Sequence, residues 1–179
     1  MRSRQLPCIA LACLVASCAS MGKMPELNDA QKPARTVNVR LHAANKLNTD
    51  ARGRSLAVVA RLYKLRQSAA FEAAPYAAFL SSQAEQAAFG ADLVEVKEIT
   101  LVPGQKYEVE EKVSQEAGYI GIVALFHQPA PQRWRLAYSV AEAAPAGVTV
   151  GVYACSMASG AGARSRLPKL PLPDRAHCQ

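Results

Sequence analysis

The sequence is short of the patterns from which catalytic and membrane-spanning proteins are built. No apolar run reaches the ~18 residues of a bilayer-spanning helix. The three histidines, His42, His127 and His177, lie far apart without ligand-like spacing. There is no His-Glu-x-x-His, no Cys-x-x-Cys and no Walker loop. A Gly-x-Ser-x-Gly nucleophile elbow is also missing. Gly160-Ala161-Gly162 does not join a strand to a helix, so it reads as tail and not as a phosphate cradle. Basic residues are scattered, and no basic stripe carries interleaved aromatics, which argues against nucleic acid. Catalysis, a metal, a cofactor and a small-molecule substrate therefore have no support in motifs. What remains is 179 residues, half of them apolar and a fifth charged, enough for one domain with appendages.

Five cysteines must be sorted. Arg2 and Arg4 precede an uncharged run from Leu6 to Ser17 that has the shape of a signal peptide over residues 1–17. It ends Val15-Ala16-Ser17-Cys18, which resembles the bacterial lipobox. On that reading Cys8 and Cys13 leave with the signal, and Cys18 is lipidated and becomes the new N-terminus. An ordinary signal peptide or a buried N-terminal helix is the bland alternative. Ala19, where sorted lipoproteins of Gram-negative bacteria can carry Asp, favours the outer membrane by the same resemblance. Without Arg2 and Arg4 there are 19 basic residues against 14 acidic, so the formal charge falls from +7 to +5. Cys155 and Cys178 are then expected to pair, since thiols outside the cytoplasm oxidise; two free thiols are the alternative.

Residues 18–35 read as a polar tether. A domain is expected over 36–158. Val37, Val39 and Leu41 alternate with polar neighbours as in a strand with one wet face. Leu56 to Leu65 is apolar on both faces and reads as a more central strand. Residues 68–89 are Ala-rich, with Leu80, Ala84, Ala87 and Ala88 at helical spacing. Pro75 and Ser81-Ser82 split this stretch into two short helices with a serine cap, and Gly90 closes it. Further strands are predicted over 93–102, 107–113, 119–127, 134–140 and 148–155. Residues 159–179 carry Pro168, Pro171 and Pro173 and are expected to be irregular. The fold class is mainly β, a two-sheet sandwich with an inserted helical pair. Tyr63, Tyr119, Phe126 and Trp134 are candidate core, and Phe71, Phe79 and Phe89 pin the helices. Glu108 and Glu110 read as a solvated face; Glu111 shares the apolar face, as at an edge.

A family likeness appears at specific residues. The lipobox and first strand are followed by Leu47-Asn48-Thr49-Asp50-Ala51-Arg52-Gly53-Arg54-Ser55, then Val58-Val59-Ala60-Arg61-Leu62-Tyr63-Lys64-Leu65. Phe71, Phe79-Leu80, Pro103-Gly104, the run from Ala117 to Phe126, and Trp134-Arg135 follow in order. This order resembles the outer-membrane lipoprotein of type VI secretion systems, the TssJ (SciN, VasD) family. The resemblance implies a transthyretin-like sandwich without catalysis. It implies a complex in which the lipoprotein anchors the periplasmic C-terminal part of TssM, with TssL as a further member. It assigns the contact to the loop between the first two strands, here residues 44–54. The partner-binding candidates are Asn45, Lys46, Leu47, Asn48, Thr49, Asp50, Arg52 and Arg54. Lys46, Arg52 and Arg54 would meet acidic groups, with Leu47 as apolar anchor. Thr49 departs from the proline often found there. The alternatives are a loop that merely shapes a connection, and a lipid-anchored sandwich binding carbohydrate or peptidoglycan. The latter needs an exposed row of aromatics, whereas the tyrosines here sit in strand-like apolar segments.

Overall fold

The computed structural model describes residues 33–168. The signal segment, Cys18, most of the tether and Cys178 lie outside the described residues. Among the described residues, eight strands form two sheets. They are β1 (Arg35–Ala43), β2 (Val58–Leu65), β3 (Leu93–Leu101), β4 (Lys106–Val113), β5 (Tyr119–Leu125), β6 (Arg135–Ser139), β7 (Val148–Val152) and β8 (Met157–Gly162). One sheet has the order β4-β1-β7-β8 and the other β3-β2-β5-β6. Among the described residues the pairings are antiparallel except that of β1 with β7, which run parallel. That parallel pair needs a crossover, and the chain makes it by leaving the first sheet for the second and returning through α3 (Val140–Ala146).

Alternation explains the core. Val37, Val39 and Leu41 of β1 and Val148, Val150 and Val152 of β7 are fully buried. They meet Val58, Ala60 and Leu62 of β2 and Ile120, Ile122 and Ala124 of β5, also buried. β2 and β5 are central, and their outer face is covered too. The segment between β2 and β3 folds into α1 (Ala69–Ala73), a 3-10 turn (Tyr76–Phe79) and α2 (Ser82–Phe89). It lays Phe71, Phe79 and Phe89 around the outward Tyr63 ring, at centroid distances of 5.4, 5.7 and 6.1 Å. Gly121 on β5 makes room for this, because a Cβ there would lie 2.5 Å from the Phe71 ring. Ser81 caps α2, accepting from the Ala84 amide at 3.2 Å, and Gly90 ends it at φ 49°.

One sequence expectation is corrected, and two features were not read from the sequence. The buried side of α2 is Glu85 and Phe89, while Leu80 is 58% exposed and Ala87 and Ala88 face solvent. Helical spacing of small residues indicated helix but not its buried face, because the bulky Phe89 outweighs alanines. The segment after Ser159 is not irregular throughout: β8 runs to Gly162, and the domain therefore passes residue 158. Its small side chains let main-chain pairing with β7 decide the structure, and the prolines act only later. The helix α3 was not read at all; it is short and carries Pro145 in its last turn.

Glu111 points inward from edge strand β4 and is 5% exposed. It receives Lys97 at 2.6 Å and Lys64 at 3.3 Å, and Lys64 also meets Glu95 at 2.9 Å. This cluster ties the edge of one sheet to the other sheet.

Candidate functional site

The β1–β2 connection lies at the end of the sandwich opposite Arg35. After Ala43 the chain keeps to the β7 side, with Ala44 N–H bonded to the Val152 carbonyl at 2.8 Å. Asn48 and Thr49 then donate to the Tyr153 and Ala154 carbonyls at 3.1 and 2.9 Å. Leu47 is fully buried, and Asn48 and Thr49 are 6% and 9% exposed. These residues hold the loop rather than offer themselves. Leu47 in particular is core and not an exposed anchor, because the loop's backbone contacts with the β7–β8 turn turn it inward.

Asn48 sits at φ 43°, a left-handed conformation that Asn tolerates better than most residues. Its amide Nδ2 donates to the Ala57 carbonyl at 2.7 Å, and its Oδ1 accepts from the His127 amide at 2.7 Å. One side chain thus joins the loop, the entry to β2 and the β5–β6 connection. Asp50 organises the tip. Its Oδ1 accepts the Arg52 and Arg54 amides at 2.9 Å each, and its Oδ2 accepts Arg54 Nε at 2.8 Å. These bonds, chiefly the Arg54 amide, hold its carboxyl below the ordinary carboxylate value. Gly53 at φ 73° closes the turn.

The exposed part is therefore Asn45, Lys46 and residues 51–57, with Lys46, Arg52 and Arg54 as its cations. Leu56, 37% exposed, adds an apolar element. The β3–β4 turn abuts it: Gly104 N–H bonds the Ala44 carbonyl at 3.2 Å, and Val102 is 49% exposed. A Cβ on Gly104 would come 2.8 Å from Asn45 Oδ1, so this turn also fixes Asn45. The β1–β2 loop and the β3–β4 turn thus form one basic surface with apolar residues in it.

A second cluster has the residue types of acid–base chemistry. Tyr63 donates to Glu85 at 2.5 Å, Arg61 reaches Glu85 at 2.6 Å, and Arg61 Nε bonds Glu98 at 2.7 Å. Burial first, and then the Glu85 bond, push the Tyr63 phenol far up. Arg61 also bonds the Phe79 carbonyl at 3.0 Å, so the cluster clamps the helical segment onto β2. Tyr63 and Glu85 are themselves buried. Among the described residues no three His, Cys, Asp or Glu side chains converge as for a metal. Cys155 is disulfide-bonded and 1% exposed.

A family profile described as Type VI secretion lipoprotein, VasD, EvfM, TssJ matches residues 35–155. The solved T6SS lipoprotein TssJ1 from Pseudomonas aeruginosa is 28% identical, with a TM-score of 0.62, over 79% of this chain and 100% of that one. A chain of the structure described as the T6SS protein TssM C-terminal domain (869-1107) from EAEC is 26% identical. It has a TM-score of 0.60 over 70% of this chain and 98% of that one. A chain of a type VI membrane complex is 24% identical with a TM-score of 0.65, over 70% and 98% of the two chains, a likeness of fold. No curated protein matches.

Proposed function

The chain belongs to the type VI secretion lipoprotein family, and from that membership we propose that it is a non-catalytic adaptor anchoring the periplasmic domain of TssM to the outer membrane. The observation that carries this reading is the β1–β2 loop, pinned from below by Asn48 while Lys46, Arg52 and Arg54 face outward. A pre-ordered loop loses little freedom on binding, and its cations speed encounter with an acidic surface. Lys46, Arg52, Arg54 and Asn45 make the contact; Leu47, Asn48, Thr49 and Asp50 set its shape. The anchor is lipid on Cys18, and TssL joins through the shared complex.

The test spares the buried residues. In a pull-down with a periplasmic TssM fragment, Lys46→Glu combined with Arg52→Glu is expected to weaken capture at least about tenfold, with unchanged thermal unfolding. Undiminished capture would refute the loop as the contact. For the anchor, radioactive palmitate is expected to label the wild type; a Cys18→Ser chain that still takes up label overturns that assignment. We pair the disulfide of Cys155 with Cys178, which a non-reducing peptide map reads directly.

A further inference from the structure

A sheet edge invites pairing with another chain unless something defends it. On the side of the sandwich where β3 and β4 meet, both edges are defended. β4 carries Lys106, Glu108, Glu110 and Lys112 outward and Glu111 inward. β3 carries Glu95, Lys97 and Glu98. On the opposite side lie β6 and β8, joined by the Tyr138 hydroxyl and Ser159 Oγ at 3.0 Å. There the edge of β6 is met by the chain itself, since the Arg166 N–H bonds the Ala137 carbonyl at 2.8 Å. β8 has neither defence. Its sequence, Met157-Ala158-Ser159-Gly160-Ala161-Gly162, holds no charge and no proline. Its register shows which main-chain groups are turned outward. The Tyr153 N–H bonds the Ser156 carbonyl at 2.8 Å, and the Met157 amide turns away from β7 to the Arg133 carbonyl at 2.6 Å. Main-chain groups alternate in direction along an antiparallel strand. Two residues on, Ser159, which faces Val150, therefore points its N–H and C=O away from β7 as well.

A groove of about 740 Å³ runs beside this edge. Arg133 stands at its Met157 end and Arg164 just past Gly162, and Arg135 of β6 lines it too. Among the described residues no Asp or Glu lines it. Glu72, in the adjoining recess, is held by Arg166 at 3.0 Å. Tyr153, 39% exposed, folds its ring over Gly151 and adds an aromatic rim.

We propose that β8 receives an extended acidic segment of another protein, added as a strand along its open edge. Main-chain bonds to β8 hold the segment, and the arginines select an acidic one. The six residues of β8 span about 17 Å. Carboxylates about five residues apart on an extended partner therefore reach Arg133 and Arg164 together. A second copy of this chain does not suit, because β8 against β8 would set arginines against arginines. The surface makes no use of Lys46, Arg52 or Arg54.

Fluorescence anisotropy on the whole purified chain tests this, with a labelled peptide of alternating valine and glutamate about nine residues long. The peptide is expected to bind, and to bind Arg164→Glu at least about tenfold more weakly, Arg164 being exposed. Binding is expected to be unchanged in Lys46→Glu combined with Arg52→Glu, which separates this surface from the β1–β2 loop. Two further peptides carry N-methyl groups on every valine or on every glutamate. One of them is expected to lose binding and the other to keep it, because strand addition uses one edge of the peptide. Equal binding by both overturns strand addition, since charge attraction alone would not distinguish them. No binding of the parent peptide, or equal binding of a valine–lysine peptide, overturns the proposal. Binding gained only when the chain is stopped after Pro168 gives the groove to residues 169–179 and also overturns it. A dimer in sedimentation that the peptide disperses gives β8 to a second copy, against the proposal.

Discussion

Asn48 shows how much of the β1–β2 loop depends on one side chain. Asn48→Ala removes the partner of the His127 amide and of the Ala57 carbonyl and places alanine at φ 43°. Buried groups left unpaired cost about 1–3 kcal/mol, so a loss of about 2 kcal/mol is expected in urea unfolding, with weaker capture of the partner. Asp50 sets the acid limit of the tip. Its folded pKa is lowered, so its stabilising effect is complete above the ordinary value of 3.8 and is lost as pH falls through the folded value. The Arg52 and Arg54 amide resonances are expected to titrate together, with a midpoint below pH 3.8. Glu111→Ala breaks the pair with Lys64, itself 5% exposed, leaves a void there and leaves Glu95 as the carboxylate that Lys64 still meets. Breaking a buried pair in this way costs about 3 kcal/mol, whereas exposed Glu110→Ala is expected to stay within about 0.5 kcal/mol in the same denaturation assay.

At the scale of elements, the helical segment is a lid for the central strands. Gly121→Ala drives a methyl into the Phe71 ring and is expected to cost about 1–3 kcal/mol, read as a lower melting temperature. The strands of the core were legible because burial on one face imposes alternation, as in Val37, Val39 and Leu41. The apolar run of β2 was legible as central, although its second cover is helix and not sheet. Glu111 could be singled out because it broke the pattern of its own strand. The orientation of α2 was not legible, since it is fixed by Glu85 meeting Arg61 and Tyr63, residues distant in sequence. The loop's position was readable from its turn formers. Its division into buried Leu47-Asn48-Thr49 and exposed cations was not, because the bonds to Tyr153, Ala154 and His127 come from other connections.

On the scale of the whole molecule, β1 separates the two ends. It enters at Arg35 and delivers the chain to the β1–β2 loop after nine residues, about 30 Å of strand. Its neighbours are β4 on one side and β7 on the other, so it is interior to its sheet. On the proposed function, with lipid before Arg35 and the partner at the β1–β2 loop, a pull between membrane and partner would pass along the axis of β1. Hydrogen bonds to both neighbours lie across that axis and are loaded together in shear. Attachment at Arg35 and Val113, which face each other at one end of the sheet, would instead part the β1–β4 ladder one pair at a time. In single-molecule pulling, the path from Arg35 to Lys46 is expected to rupture at the higher force; equal forces would contradict this. On the proposed role, the strand hydrogen-bonded on both sides is thus the one that would carry the load between anchor and partner.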